Sequence, residues 1–217
     1  VEGDHSTISA AISIRGGAFL EEAEKLTLVE LARGEGGEFL AGEELEIEAD
    51  LPLKYDGHFD LIKGAINRLS LYSEEFSLKF SERKVRIATW TDIPRNSGLG
   101  GSSVLVISAL GGLREFYDLD RRGHNNYVIS ELTQRTESLE LGITCGFADR
   151  YVPVFGGLAY LDYRGKLYHR PMKEEPYVTY ERLDSFVDYI PLVIAYTGVV
   201  RDSGDVHRIM RQCYLSE

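Results

Sequence analysis

Apolar residues recur along the 217-residue chain with two different periods, and each period predicts a different kind of element. Three segments beginning at Thr7, Lys25 and Glu44 are β-branched or alternate apolar with polar residues, which predicts strands. The stretch EFSLKFS alternates strictly and is also predicted as a strand, followed by another strand at KVRIATWTDI. HFDLIKGAINRLSLY instead spaces its apolar residues as one face of a helix.

The second half of the chain continues this mixture of elements. A helix is predicted after a run of small residues, with Val106, Ile107, Leu110, Leu113 and Tyr117 on one side. A second helix is predicted in NNYVISELTQRTESLELG, which Gly142 would end. GGLAYLDYRGKLYHRP predicts a hairpin that turns at Arg164-Gly165, and YIPLVIAYTG predicts a buried strand. DSGDVHRIMRQCYL begins a further predicted helix. Strands and helices mixed in this order predict the α+β class.

The best candidate for a domain boundary is the acidic, proline-containing segment 171–185. We therefore expect one domain over residues 1–175 and the beginning of a second over residues 176–217. The second part is too short for a complete domain, which suggests an incomplete chain.

Composition narrows the class of protein. Hydrophobic residues make up 43 % and charged residues 27 % of the chain, which predicts a soluble globular protein, and no apolar run is long enough for a membrane span. A net charge of −11 argues against a nucleic-acid surface. The two cysteines form no spaced motif, which favours a reducing, cytoplasmic setting. A homodimer remains possible.

The segment most suggestive of chemistry is a run of small residues between a predicted strand and a predicted helix, PRNSGLGGSS, at positions 94–103. The first amides of a helix lack intrahelical partners, and glycines let the backbone approach an anion closely. The serine hydroxyls would suit a phosphate oxygen or a metal ion. The pattern therefore predicts a nucleotide phosphate site, although a helix cap joined to a flexible turn is the simpler alternative. The Walker pattern is absent, and the glycine spacing does not fit a Rossmann turn.

This segment resembles the phosphate-loop motif of the GHMP kinases, with Gly101 and Val104 as departures from their usual serine and alanine. GITCGFADRYVPVFGGLAYLDY is similar to the family's segment that carries the catalytic aspartate. RDSGDVHRIMRQCYL, together with GFADR and TIS, looks most like the glucuronokinase branch, with heptose-phosphate kinases slightly further away. The family's first motif is absent or barely represented, and its third, glycine-rich motif is absent.

The resemblance implies a fold, an activity and a site. The fold would be an α/β domain related to a ribosomal protein, followed by a ferredoxin-like domain. The activity would be ATP- and Mg²⁺-dependent phosphorylation of a sugar or sugar acid at its anomeric hydroxyl, with Asp149 as general base. Ser102 and Glu137 would hold the metal ion, with Glu140 as the alternative acid. The resemblance further implies phosphate contacts from Pro94, Gly98, Leu99, Gly100, Gly101, Ser102 and Ser103, and substrate contacts from Arg150, Asp202 and Ser203.

A purely structural role stays open for several of these residues. Asp149 could cap a turn, Glu137 could be a solvated helix carboxylate, and Arg150 could form a surface salt bridge. Ser203 could be a plain N-cap. The whole chain could also be an isoprenoid-pathway kinase or decarboxylase of the same family, a non-catalytic sugar- or nucleotide-binding protein, or an anion-binding structural domain.

Overall fold

The structure, a computed structural model, describes residues 5–166, 170–187, 190–195 and 198. Its first half forms four strands, β1 (Ser6–Ala10), β2 (Gly16–Ala23), β3 (Leu26–Arg33) and β4 (Phe39–Ile47), then two helices, α1 (Asp60–Tyr72) and α2 (Glu74–Glu82), and strand β5 (Lys84–Thr91). The second half has helices α3 (Gly101–Phe116) and α4 (Asn126–Arg135), a π-helix (Thr136–Glu140), helix α5 (Ala148–Phe155), strand β6 (Leu158–Asp162), a 3₁₀ turn (Met172–Glu174) and strand β7 (Thr179–Arg182). Within these residues, no helix combines the length and the apolar character that crossing a bilayer requires.

The strands form two sheets. A four-stranded sheet has the order β2-β5-β3-β4, in which β3 and β5 are parallel and the other neighbours are antiparallel. A three-stranded antiparallel sheet has the order β1-β6-β7. Helices together with one mixed and one antiparallel sheet confirm the predicted α+β class.

The main core lies between the four-stranded sheet and helices α1, α3 and α4. Leu28 of β3, Ile66 of α1, Ile87 of β5 and Leu110 of α3 are all completely or almost completely buried in it. A second, smaller core under α5 contains Phe147, Tyr151 and the inward side chains of β6. The junction of the two cores is where α3, the π-helix and α5 come together.

Several sequence predictions were wrong or incomplete. EFSLKFS lies in helix α2 rather than in a strand: Phe76 and Phe80, four residues apart, are buried on one side, while Leu78 is exposed. Strand β2 was missed because its sequence, GGAFLEEA, opens with two glycines and is rich in acids. Strand β6 pairs with β1 on one side and with β7 on the other, and the second arm of the predicted hairpin, after the turn at Arg164-Gly165, includes residues 167–169, which lie outside the described residues.

The structure tests only part of the predictions for the C-terminal region. Residues 190–195, part of the predicted buried strand, form no strand, and Leu192, Val193 and Ile194 are exposed. The predicted helix after Asp202 lies outside the described residues. Strand β7 follows the predicted domain boundary at 175/176 and pairs with β6 on the other side of it. The boundary and the ferredoxin-like second domain stay predictions.

Candidate active site

The glycine-serine loop connects the end of β5 to the start of α3, as the sequence predicted. Gly98 and Gly100 have φ values of +74° and +71°, a backbone conformation that residues with a Cβ rarely adopt. Gly100 is the N-cap of α3 and accepts a hydrogen bond from the Val104 amide at 3.0 Å. The amides of Gly101, Ser102 and Ser103 therefore begin the helix without intrahelical acceptors, and they are suited to bind an anion.

Asp149 lies directly against this loop. It occupies the first turn of α5, and a Cβ added to Gly100 would lie 3.0 Å from the Asp149 Cβ and 3.6 Å from its Oδ2. The side chain is 46 % exposed, so its carboxylate is accessible from outside. The two segments that the sequence motifs singled out, about fifty residues apart in the chain, thus meet in one place.

The local sequence explains why α5 begins at this point. The amides of Arg150 and Tyr151 both donate to the carbonyl of Phe147, which closes the first turn. Tyr151 is fully buried and anchors the helix in the smaller core, and Gly156, with φ +70°, ends it. Burial and the neighbouring Glu131 carboxylate raise the pKa of the Tyr151 phenol well above its usual value.

Glu137 is the centre of the polar contacts at this junction. Its side chain is fully buried in the π-helix, an uncommon element that is often found at functional sites. Its Oε1 accepts a hydrogen bond from Ser102 Oγ at 2.6 Å, and its Oε2 accepts from Ser103 Oγ at 2.9 Å. The second oxygen also accepts from Arg150, at 2.6 Å from Nε and 2.5 Å from Nη2.

These contacts allow a test of whether Mg²⁺ would fit. A carboxylate oxygen has two lone-pair sites. Oε2 of Glu137 is saturated by three donor atoms, whereas Oε1 has one lone pair left beside the Ser102 hydroxyl. One carboxylate oxygen and one hydroxyl are a suitable partial set for Mg²⁺, which usually keeps waters and substrate phosphates as its other ligands. No group of three or more acidic, histidine or cysteine ligands occurs in the described part of the chain, so a cage built entirely of protein ligands is not found there.

Arg150 connects the two acids. Its side chain is 5 % exposed, it forms an ion pair with Glu137, and Nη1 donates to Oδ1 of Asp149. Burial by itself lowers the pKa of the guanidinium, but the charges of Glu137 and Asp149 outweigh it and raise that pKa above its usual value. The sequence suggested a substrate contact or a surface salt bridge for Arg150. The geometry gives it a buried ion pair with both carboxylates, and a direct contact with substrate stays a prediction.

The remaining predicted residues lie in different places. Glu140, the alternative metal ligand, pairs with Arg68 and accepts a hydrogen bond from Tyr55 at 2.8 Å, so its carboxylate is already engaged away from the serines. Pro94 and Leu99 lie in the loop, partly exposed. Asp202 and Ser203 lie outside the described residues, so their predicted substrate contacts stay predictions.

Sequence reasoning missed two features of the site. It did not foresee that Ser103 is completely buried against Glu137, since a serine in a glycine-rich loop gives no sign of burial. It also missed Ser97, whose hydroxyl is buried in the loop without a hydrogen-bond partner within the described ranges. Nearby, burial raises the pKa of the Cys145 thiol to about 12, which makes it an unreactive thiol at neutral pH.

Comparisons with known proteins identify a matching family model and similar sequences. Residues 60–157 match the family model described as GHMP kinases N terminal domain. Glucuronokinase 1 of Arabidopsis thaliana is 33 % identical over 149 residues, which cover 69 % of this chain and 37 % of that protein. D-glycero-alpha-D-manno-heptose 7-phosphate kinase of Campylobacter jejuni is 28 % identical over 163 residues, covering 74 % of this chain and 44 % of that protein.

A solved structure agrees with the sequence matches. The D-glycero-D-manno-heptose 1-phosphate kinase of Bacteroides thetaiotaomicron superposes with a TM-score of 0.57 and 25 % identity, over 74 % of this chain and 48 % of that one. The chain therefore spans less than half the length of the curated relatives described above. The matched segment, which contains the glycine loop, Glu137 and Asp149, belongs to the GHMP kinases, and its fold is the GHMP kinase fold.

Proposed function

We propose that the full-length protein uses ATP to phosphorylate a sugar or sugar acid at its anomeric hydroxyl. The observation that carries the proposal is the meeting of the glycine loop with Asp149, 3.0 Å from the Cβ that Gly100 lacks. A nucleotide phosphate in the loop and a hydroxyl beside Asp149 would be neighbours, as direct phosphoryl transfer requires.

The residues can be given roles in such a transfer. The amides of Gly101 to Ser103 hold phosphate oxygens. Asp149 accepts the proton of the sugar hydroxyl while the oxygen of that hydroxyl forms a bond to the γ-phosphorus of ATP. The bond from that phosphorus to the bridging oxygen breaks, and ADP leaves. Arg150 holds the Asp149 side chain beside the loop. Ser102 and Glu137 would hold Mg²⁺, which when bound neutralises phosphate charge.

The choice of a sugar as substrate rests on the relatives. The curated relatives described above are named as a glucuronokinase and a heptose 7-phosphate kinase, and the resemblance of the segment from Arg201 points to the same class of substrate. Mevalonate kinase of Methanococcus jannaschii shares the fold at 17 % identity, which carries no information on the acceptor. A sugar or sugar acid is therefore favoured over an isoprenoid alcohol.

The proposal is tested by measuring ADP release from the full-length protein with glucuronate, galactose, heptose phosphates and mevalonate. With the best acceptor, Asp149→Asn should lower kcat by about 10²–10⁴-fold, because the amide cannot take up the proton. Asp50→Asn, which changes an exposed carboxylate elsewhere, is the matched control and should keep wild-type turnover.

Two results would contradict the proposal. Full turnover in Asp149→Asn would show that Asp149 is not the general base. Sugar binding by the wild-type protein in calorimetry, with neither nucleotide binding nor ADP release with any acceptor, would favour the non-catalytic binding protein instead.

A further inference from the structure

A cavity of about 500 Å³ has Ser138 and Leu139 of the π-helix in its lining. Its walls come from α1, from α4 and the π-helix, and from residues 170–175; they include Arg68, Tyr72, Ser138 and Phe147. None of the loop residues 94–103, nor Asp149 or Arg150, lines it. The cavity is therefore separate from the candidate active site, and its volume is in the range of pockets that hold one small metabolite.

The charge of its lining is opposite to that of the molecule. The chain carries a net charge of −11, yet four cations line this cavity, Arg68, Arg135, Arg170 and Lys173, against one carboxylate, Glu175. Such a local surplus of positive charge in an acidic protein raises the local concentration of anions.

The four cations are not equally free to bind a ligand. Arg135 is neutralised by Glu175 at 3.0 Å and by Glu131 at 2.7 Å. Arg68 is paired through one nitrogen with Glu140, and its Nε is buried without a hydrogen-bond partner within the described part of the chain. Arg170 and Lys173 are exposed, and no carboxylate of the described residues pairs with either of them. The lining thus contains two exposed cations with no carboxylate partner among the described residues, and a partly compensated arginine.

The rest of the lining suits a ligand larger than a simple ion. Leu132, Leu139, Phe147 and Met172 provide apolar surface, and Gln134 and Ser138 provide neutral hydrogen-bonding groups. A small pocket that combines apolar walls, a few neutral polar groups and cationic side chains fits a ring with hydroxyl groups and an anionic substituent.

We propose that this cavity is a second binding site, for a phosphorylated sugar. The phosphate would bind Arg170 and Lys173, with the sugar ring between the apolar walls of α4 and residues 170–175. The ligand would contact Ser138 and Leu139, which directly follow Glu137 in the π-helix. This site goes beyond the proposed kinase function and does not depend on it.

The experiment is a calorimetric titration of the full-length protein with glucose 6-phosphate, in parallel with inorganic phosphate and with glucose. A nonhydrolysable ATP analogue and Mg²⁺ are present so that the glycine loop is occupied. We expect saturable binding of glucose 6-phosphate at least about tenfold tighter than that of either inorganic phosphate or glucose, since only the first satisfies both parts of the cavity.

The variant Arg170→Ala/Lys173→Ala should weaken the binding of glucose 6-phosphate about tenfold or more, because it removes the charge-assisted contacts. The matched control Lys25→Ala/Lys54→Ala removes two exposed lysines elsewhere and should leave the affinity within about twofold. Because Arg170 and Lys173 lie outside the loop, a loss in the variant locates the ligand in the cavity whether or not the protein proves to be a kinase. Equal binding of inorganic phosphate, absence of saturable binding, or unchanged affinity in the Arg170/Lys173 variant would overturn the proposal.

Discussion

Two fully buried glutamates, Glu131 and Glu137, lie six residues apart on the same helical stretch, and they differ in the balance of positive and negative charges around them. Glu131 accepts hydrogen bonds from Tyr151 at 2.5 Å, Lys166 at 2.5 Å and Arg135 at 2.7 Å. With Glu175 included, this cluster has two carboxylates and two cations, and all four side chains are almost completely buried.

Around Glu137 the charges do not balance. Within the described ranges, the two carboxylates Glu137 and Asp149 share one cation, Arg150, and Asp149 is 46 % exposed. The first cluster is thus closed and neutral, whereas the second has one negative charge more than its cations and opens toward the glycine loop. A further cation near Asp149 would balance the second cluster, whereas the charges of the Glu131 cluster already balance, although Oε1 of Glu175 is buried there without a hydrogen-bond partner among the described residues.

The largest effect expected from this difference concerns stability. Glu131→Gln leaves Arg135 and Lys166 buried with one carboxylate between them, and removing one partner from a buried ion pair costs about 3–5 kcal/mol. Glu137→Gln leaves Arg150 balanced by Asp149, so its cost should be smaller, about 1–3 kcal/mol for the lost hydrogen bonds. Free energies of unfolding from urea denaturation measure both, with exposed Glu48→Gln as control. Equal losses for Glu131→Gln and Glu137→Gln would contradict the contrast between the two clusters.

The next effect concerns metal binding. If Mg²⁺ and ADP bind at the loop, a concentration of 100 times Kd should stabilise the wild-type protein by about 2.7 kcal/mol, seen as a rise in Tm. In Glu137→Gln the Mg²⁺-dependent part of that rise in Tm should be lost, because the oxygen beside Ser102 then belongs to a neutral amide instead of a charged carboxylate. EDTA should have the same effect on the wild-type protein. Glu140→Gln is the matched control, because Glu140 is engaged by Arg68 and Tyr55. If Glu140→Gln instead removed the rise, the assignment of the metal ligand would be wrong.

Most of the fold that positions this site followed from local sequence patterns. The strand, loop and helix around Gly98 to Ser103 were predicted because strand and helix periods change within a few residues there. EFSLKFS was mistaken for a strand because its apolar residues Phe76, Leu78 and Phe80 alternate with polar ones. Phe76 and Phe80 are also four residues apart, and residues four apart lie on the same side of a helix, so a segment of seven residues fits both elements. Strand β2 has too few apolar residues to give a strand signal, and it forms by pairing with β5 along its whole length.

The site itself was predictable only in part. Ser102, Glu137 and Asp149 were identified through motif resemblance, and they are brought within one network of contacts. The choice of Glu137 over Glu140 depends on the π-helix, which directs the first acid toward Ser102 and the second toward Arg68. No sequence pattern announces a π-helix. The burial of Arg150 between two acids likewise depends on contacts between α3, the π-helix and α5, which are not local in sequence.

The smallest effect expected tests the close approach of the loop to Asp149. Gly98→Ala and Gly100→Ala both place a Cβ on a residue with positive φ, which costs about 1–2 kcal/mol of stability each. At Gly98 the new methyl group meets nothing within 4 Å, whereas at Gly100 it lies 3.0 Å from the Cβ of Asp149. That atom is fixed to α5, so the helix and the carboxylate must shift by a few tenths of an ångström.

We therefore expect Gly100→Ala to lower kcat several-fold more than Gly98→Ala does, and urea denaturation should give a somewhat larger loss of stability for Gly100→Ala, because the contact with Asp149 adds to the same backbone strain. A misplaced base acts on the chemical step, whereas strain in the loop acts on folding and on nucleotide binding, which appears in the KM for ATP. Equal kcat values for the two variants would mean that the position of Asp149 relative to the loop does not control the reaction. The difference between the closed Glu131 cluster and the open Glu137 cluster would then have no consequence for catalysis.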